Sequence, residues 1–208
     1  MILIGQYDSS FVRRVAIALR LYGIPFEHRP WSVFSDADKI REFNPLTRVP
    51  TLVLDDGDVL IDSHVILDYL DGLVPAEQRL YPQTEPDRHR ALKIAALATG
   101  LADKGVALFY EQRLHETVSD TWAGRCQKQI EETLATLEKE RARRTSPFLT
   151  GERIGHADIA VACAWRHVTD ALPGVVDPGA YPALVAHCKR LEALPVFQEI
   201  SQTFVAPA

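Results

Sequence analysis

The spacing of apolar and polar residues changes about a third of the way along the chain. Up to about residue 75, short apolar runs alternate with helical stripes in the order strand, helix, strand, short helix, two strands and helix. Beyond about residue 86 the short runs stop, and apolar residues recur every three or four positions, as they do in amphipathic helices. The pattern predicts an α/β N-terminal domain followed by an all-α C-terminal domain.

The first strand and the first helix are separated by a short polar loop. Residues 2–5 are typical of a buried strand, and the loop after them ends in Ser9 and Ser10, which suit a helix N-terminus. A helical stripe follows, and Gly23 is placed to end it. The second strand is expected at 26–31.

A β-hairpin is predicted between residues 51 and 61, where two runs of strand-forming residues flank the turn sequence Asp-Asp-Gly. Before it, an aspartate-based capping box at 35–38 predicts a short helix. After it, Ser63 occupies the expected N-cap of the next helix. A proline at the start of a strand provides no N–H to the ladder. One solution is a cis bond between Val49 and Pro50, which turns the backbone polar groups of Val49 outward.

Three prolines with mostly polar residues between them predict a linker between the two domains. We therefore divide the chain into a domain at 1–76, a linker at 77–86 and an all-α domain at 87–208. Within the last domain, the periodicity predicts helices at 87–115, 118–144, 181–193 and 196–203.

Composition and charge exclude several classes of partner. A net charge of −5 and a pI of about 5.8 provide no basic field for nucleic acid or an anionic membrane. The N-terminus lacks the features of a signal peptide, and no apolar run is long enough to span a membrane. The cysteines Cys126, Cys163 and Cys188 form no C-x-x-C motif, which favours a reducing cytoplasm. The histidines form no metal-binding pattern, so no metal is expected.

The stretch 44–63 resembles the glutathione-binding half of the soluble glutathione S-transferases, whose fold is thioredoxin-like. The family pattern N-P-x-G-x-V-P stands here at 44–50, and the acidic residue and serine that follow the hairpin are Asp62 and Ser63. Thr47 stands where the family usually has glycine. The resemblance covers the whole chain and implies a thioredoxin-like domain with the order βαβαββα, followed by a helical domain.

The second half of the chain carries two further similarities to this family. Residues 80–82, Leu-Tyr-Pro, resemble the signature at the family's interdomain connection. The segment around Asp158 is similar to a buried family helix that Ser or Thr opens, with Asp three residues later. The cap position here is Gly155, at a cost of only about a few tenths of a kcal/mol. The resemblance therefore implies a structural role for Asp158.

Enzymes of this family must lower the pKa of the glutathione thiol. A free cysteine thiol has a pKa of about 8.5, so only about 3% of it is thiolate at pH 7. A drop of about two pH units requires about 2.7 kcal/mol of preferential thiolate stabilisation. A hydrogen bond to a charged group supplies about 1.5–3 kcal/mol, and a helix N-terminus adds about 0.3–1 kcal/mol. One hydroxyl at the start of the first helix is therefore nearly sufficient.

Three hydroxyls near that position are candidates for the catalytic role. The register of residues 9–15 resembles the serine-type subfamilies, of the bacterial, theta-like and zeta-like kind, which implies that Ser9 contacts the thiol. Ser10 and Tyr7 are the alternatives. Ser9 and Ser10 would also serve as plain helix caps. Because the loop contains no cysteine, mixed-disulfide chemistry is disfavoured.

The resemblance also implies partners for the rest of glutathione. The backbone of Val49, presented by Pro50, would pair with the cysteinyl backbone in the manner of a β-strand. Asp62 would bind the γ-glutamyl ammonium, and Ser63 with its helix N-terminus would bind the carboxylate. Arg48 is within reach of the glycyl carboxylate. A plain helix cap at Asp62–Ser63 and a plain surface charge at Arg48 are the alternatives.

The second substrate is expected in the cleft between the two domains. Phe109, Tyr110, Trp165 and Phe204 are candidates to line it, although aromatic residues at helical spacing also build cores.

The resemblance implies a cytoplasmic, homodimeric transferase in detoxification, which conjugates the glutathione thiolate to a small hydrophobic electrophile. One alternative is a glutathione-dependent isomerase similar to maleylacetoacetate isomerase. Another is a non-catalytic binding protein on this fold, similar to the stringent-starvation regulator that contacts RNA polymerase. That last reading predicts a degraded glutathione site, whereas Ser9, Val49, Pro50, Asp62 and Ser63 are all present.

Overall fold

The N-terminal part is built around a small mixed sheet of four strands. The computed structural model describes residues 1–206. The strands lie in the order β2-β1-β3-β4; β1 is parallel to β2 and antiparallel to β3, and β3 is antiparallel to β4. Leu3 stands opposite His28 on one side and Leu52 on the other. The strands are β1 (Ile2–Ile4), β2 (Glu27–Arg29), β3 (Thr51–Val53) and β4 (Val59–Ile61).

Among the described residues, three helices belong to this part and five follow it. The spacing of apolar residues predicts four of those five, and the resemblance implies the helix that contains Asp158. The order of strands and helices up to α3 is βαβαββα, so the predicted fold class is confirmed. The helices are α1 (Ser10–Leu21), α2 (Ala37–Arg41), α3 (Ser63–Gly72), α4 (Asp87–Leu114), α5 (Asp120–Ala142), α6 (His156–Ala171), α7 (Pro182–Glu192) and α8 (Pro195–Glu199). Single 3-10 turns lie at Ala76–Gln78 and Pro178–Ala180.

Helix α1 lies between the sheet domain and the helical domain. Six of its apolar residues, between Val12 and Leu19, are fully buried, in one continuous core with residues of α3, α4 and α6. Arg13 fixes the far end of the chain to this helix. Its guanidinium forms a fork to Glu192 at 2.5 and 2.7 Å and donates to the carbonyls of Phe197 and Ile200 at 2.9 and 2.8 Å. The start of α1 is therefore held in place from both domains.

Two predicted helix caps are wrong in detail. The Asp36 carboxylate forms no cap bond in α2, because it accepts from the Ser32 N–H at 3.1 Å and from Lys39 at 2.7 Å. The N-cap of α3 is Asp62 and not Ser63, because the Asp62 carboxylate accepts from the His64 N–H at 2.7 Å. Ser63 is therefore the first residue of the helix.

The last predicted helix is shorter than the periodicity indicates. It ends at Glu199, because side chains of the core take up the backbone groups beyond it. Arg13 binds the carbonyl of Ile200, and Arg166 binds the carbonyl of Gln202 at 3.1 Å. Residues 201–206 consequently run as an irregular segment.

The predicted structural role of Asp158 agrees with its contacts. Its carboxylate accepts from the N–H groups of Gly155 at 2.9 Å and Leu149 at 2.8 Å, and it lies 3.1 Å from His187. A Cβ atom at Gly155 would lie 2.8 Å from the Leu80 carbonyl oxygen. This close approach explains why glycine replaces the family's Ser or Thr.

In the described part of the chain, none of the helices combines the length and the apolar character needed to cross a membrane.

Candidate active site

Two adjoining cavities open beside the start of α1. The larger has a volume of about 910 Å³, and the smaller about 130 Å³. Both are bounded by α1, the loop before β3 and helix α4. The residues that line both are Phe11, Arg48, Val49 and Asp103.

Ser9 lines the large cavity at the N-terminus of α1. It is the N-cap of the helix, and its Oγ accepts from the Val12 N–H at 3.4 Å. Accepting this bond leaves the Ser9 O–H able to donate to an atom in the cavity. The capping role and the thiol contact are therefore compatible in one side chain.

The two alternative hydroxyls are placed differently. Ser10 lines the large cavity but is only 4% exposed, and its Oγ forms no hydrogen bond with any described residue. Tyr7 is not among the residues that line either cavity. Its ring is stacked on His28, with ring centroids 3.9 Å apart, because residue 7 is turned toward β2. The structure thus keeps Ser9 and Ser10 as candidates and moves Tyr7 away.

The loop before β3 presents Val49 to both cavities. The Val49–Pro50 bond is cis, as expected. The buried Asn44 side chain holds the loop: its Nδ2 donates to the Arg48 carbonyl at 2.9 Å and to Thr51 Oγ1 at 3.1 Å, and its Oδ1 accepts from the Leu46 N–H at 3.0 Å. The shape of the loop is therefore set before any ligand binds.

Thr47 adopts the backbone conformation for which glycine is best suited. Its φ angle is +51°, in the left-handed region that β-branched residues rarely enter. The chain thus keeps the family's turn in spite of the different residue.

The junction of β4 and α3 forms the polar end of the small cavity. Asp62 has a φ angle of +70° and an exposed carboxylate, and Ser63 is 3% exposed. Both line the small cavity. Asp62 does cap helix α3, which was the alternative to a contact with glutathione. Its second carboxylate oxygen nevertheless remains available to a ligand. On the opposite wall, His64 Nε2 lies 3.0 Å from Thr99 Oγ1 of α4.

Arg48 lies at the rim between the two cavities. Its side chain is 71% exposed and approaches the Asp103 carboxylate at 3.9 Å. Such an exposed pair contributes little to stability, so the guanidinium is available to a ligand carboxylate.

Aromatic rings form the walls of the large cavity. Phe109 meets Phe204 edge to face at 5.3 Å between ring centroids, and Tyr110 meets Phe34 in the same way at 5.5 Å. All four line the cavity. The prediction for Trp165 is not supported, because it packs on Tyr181 of the following segment, with centroids 6.2 Å apart, and does not line either cavity.

Burial changes the pKa values of several groups at the site. It raises the pKa of Asp103 and of Tyr110, and it lowers the pKa of His64 and of His167. His167 Nδ1 lies 3.1 Å from the Asp8 carbonyl oxygen, which only accepts, so Nδ1 carries the proton. Burial therefore favours the uncharged form of each of these four groups.

Several lining residues were missed by the sequence reasoning. They come from loops or from helix faces that carry no motif, and they are Gln6, Asp8, Trp31, Phe34, Val106 and His167. His167 lies two residues from Trp165, about 200° around the helix, so the two cannot face the same side. Placing Trp165 in the cleft therefore excluded His167.

No group of three or more His, Cys, Asp or Glu side chains among residues 1–206 is arranged to hold a metal ion. The three cysteines are buried and unpaired.

Comparison with known proteins identifies the family. Residues 3–78 match the family model of the glutathione S-transferase N-terminal domain, and residues 120–190 match that of the C-terminal domain. The chain is 33% identical over 165 residues to the uncharacterized GST-like protein YibF of Escherichia coli (strain K12), covering 79% of this chain and 80% of that protein. It is 30% identical over 204 residues to maleylacetoacetate isomerase of Mus musculus, covering 95% of this chain and 90% of that protein.

Solved structures agree with the sequence matches. A glutathione S-transferase from Methylobacterium radiotolerans, in complex with glutathione sulfonate, superposes with a TM-score of 0.90 at 28% identity, over 100% of this chain and 98% of that chain. A glutathione transferase family member from Pseudomonas fluorescens Pf-5, with bound glutathione, superposes with a TM-score of 0.82 at 30% identity. The match covers 96% of this chain and 97% of that chain. The chain therefore belongs to the glutathione S-transferase family and is a glutathione transferase-type enzyme.

Proposed function

We propose that this enzyme conjugates glutathione to a small hydrophobic electrophile and that Ser9 stabilises the thiolate. The observation that carries the proposal is the position of Ser9, at the N-terminus of α1 and on the wall of the large cavity. Its hydroxyl donates to the sulfur while its oxygen accepts from the Val12 N–H.

Glutathione spans both cavities in this proposal. Its cysteinyl backbone pairs with the backbone of Val49, which lies on the wall that the cavities share. The γ-glutamyl group enters the small cavity, where Asp62 binds the ammonium and Ser63 the carboxylate. The glycyl carboxylate meets Arg48 at the rim. That one structural relative binds glutathione sulfonate and another glutathione supports glutathione as the ligand of this chain.

The reaction requires one proton loss and one new bond. The thiol releases its proton to water, and the hydrogen bond from Ser9 with the positive end of α1 stabilises the remaining charge. The sulfur electron pair then forms a C–S bond to the electrophile. In a substitution the leaving group departs with its bonding pair, and in an addition the new carbanion takes a proton from water. The apolar walls around Phe109 and Tyr110 hold the electrophile.

Turnover of single-serine variants tests the proposal. With 1-chloro-2,4-dinitrobenzene, Ser9→Ala is expected to lower kcat about 25-fold at pH 7, because the thiolate fraction falls from about three quarters to about 3%. The loss should shrink as the pH approaches 9. Ser10→Ala is the matched control, with expected turnover within about twofold of wild type. The opposite result would assign the thiol contact to Ser10.

A second candidate is glutathione-dependent cis–trans isomerisation. The similarity to the mouse maleylacetoacetate isomerase over 95% of this chain favours it. Such a substrate carries carboxylates, and Arg41 and Arg48 both line the large cavity. An assay with maleylacetone separates the two functions: isomerisation faster than conjugation of any tested electrophile would select the isomerase.

We also propose that the enzyme acts in detoxification, in the cytoplasm and as a homodimer. The buried, unpaired cysteines support a reducing compartment. Sedimentation equilibrium tests the dimer, with an expected mass of twice 23.3 kDa.

A further inference from the structure

Two adjacent arginines of α1 are buried, and they differ sharply in the number of hydrogen-bond and ion-pair partners that each guanidinium has. Arg13 is paired with Glu192 and with two carbonyl groups. Arg14 is only 1% exposed, and its one hydrogen bond runs from Nη1 to Ser63 Oγ at 3.5 Å. Ser63 lines the small cavity, so the Arg14 guanidinium lies directly behind the polar end of that cavity.

The charge of Arg14 is only partly met within the described part of the chain, by the Asp62 carboxylate from beyond ion-pair distance. Its Nε and Nη2 atoms have no hydrogen-bond acceptor there, and no carboxylate forms an ion pair with it. The Tyr81 phenol lies against it but is uncharged, and burial lowers the pKa of Arg14. A buried cation without an ion-pair partner is strongly unfavourable. An anion bound next to Ser63 would relieve this cost.

The geometry also determines which way the Ser63 hydroxyl donates its hydrogen bond. Because the guanidinium only donates, it occupies a lone pair of Ser63 Oγ and leaves the O–H free to donate. Ser63 is also the first residue of α3, whose unpaired N–H groups favour an anion at the same place.

We propose that Arg14 is a positioning residue for the γ-glutamyl carboxylate of glutathione: it orients the Ser63 hydroxyl and supplies, from behind the small cavity, the positive charge that the carboxylate neutralises. The inference rests on the proposed function. Arg14 does not touch glutathione itself, in contrast to Arg48 at the exposed rim.

Calorimetric binding of three peptides tests this role. They are glutathione, 4-aminobutanoyl-Cys-Gly, which lacks only the α-carboxylate, and glutaryl-Cys-Gly, which lacks only the α-ammonium. Arg14→Met keeps the alkyl stem and removes the charge. It is expected to weaken glutathione and the glutaryl peptide about tenfold, the loss typical of a contact to a charged group, and to leave the 4-aminobutanoyl peptide within about twofold. Arg14→Lys should restore part of the affinity.

Arg20→Met is the matched control, because Arg20 lies on the same helix and its side chain is 42% exposed. It should change none of the three affinities. Equal weakening of all three peptides by Arg14→Met, or an unchanged affinity for glutathione, would overturn the proposal while leaving the proposed function intact. Failure of the wild type to bind millimolar glutathione would overturn the proposed function and this inference together. If Arg14→Met does not fold, Arg14→Lys must weaken the two carboxylate peptides selectively, and failure to do so counts against Arg14.

Discussion

The two cavities that meet at Val49 are built in opposite ways. Around the small cavity, side chains are fixed by hydrogen bonds within the chain: Asn44 holds the loop, Asp62 caps α3, and Arg14 contacts Ser63. The large cavity is walled by aromatic rings that meet edge to face. They come from the loop after β2, from α4 and from the irregular segment at the end of the chain.

This difference indicates that the two cavities bind different kinds of ligand. Directional hydrogen bonds define one arrangement of donors and acceptors, which suits a peptide that never varies. Apolar contacts are non-directional, so the aromatic walls are able to hold ligands of different shape. We therefore expect changes on the small side to affect glutathione, and changes on the large side to affect the choice of electrophile.

The largest effect is expected at Asn44. Asn44→Ala removes three hydrogen bonds from a buried loop and leaves backbone groups unpaired, so the free energy of unfolding should fall by about 3 kcal/mol. Glutathione affinity should fall with it, because the loop presents Val49. Urea unfolding and calorimetry measure the two losses. Asn44→Asp keeps the acceptor for Leu46 but sets a buried carboxylate oxygen against the Arg48 carbonyl, so it should lose at least as much. A smaller loss in Asn44→Asp than in Asn44→Ala would count against the donor bonds of Asn44.

A smaller and more selective effect is expected at Phe109. Phe109→Ala removes one wall of the large cavity, so KM for 1-chloro-2,4-dinitrobenzene should rise by roughly five- to twentyfold. The dissociation constant of glutathione should stay within about twofold. Phe148→Ala, at a half-buried position away from both cavities, is the control. A parallel loss of glutathione affinity in Phe109→Ala would show that the two sides are not independent.

The smallest effect is expected at Thr47. Thr47→Gly relieves a positive φ angle at a β-branched residue, at the cost of a more flexible unfolded chain. The melting temperature should rise slightly or stay unchanged. The corresponding gain in the free energy of unfolding is at most about 1 kcal/mol. Glutathione affinity should be retained. A marked loss of stability would mean that the Thr47 side chain, and not the backbone turn, holds the loop.

The small cavity was more predictable from the sequence than the large one, for a physical reason. Most of the residues that line it lie in two short stretches, 44–50 and 61–64, where turn chemistry and helix capping act locally. The walls of the large cavity come from six segments that only tertiary packing brings together. Helical periodicity indicates which residues share a face but not which neighbour that face meets, so Trp165 was placed in the cleft and His167 was overlooked. The early end of α8 was likewise set by contacts at a distance, whereas the Asp62 cap is a local bond to the His64 N–H.

The central claim is that Ser9 lowers the pKa of the glutathione thiol, and proton release on binding measures this most directly. Calorimetry of glutathione binding between pH 5 and 9, in buffers of different ionisation enthalpy, counts the protons released. Wild type should release a proton on binding near neutral pH, and Ser9→Ala should bind glutathione without that release, because the bound thiol then has the same pKa of about 8.5 as the free thiol. Identical proton release in wild type and Ser9→Ala would contradict the claim.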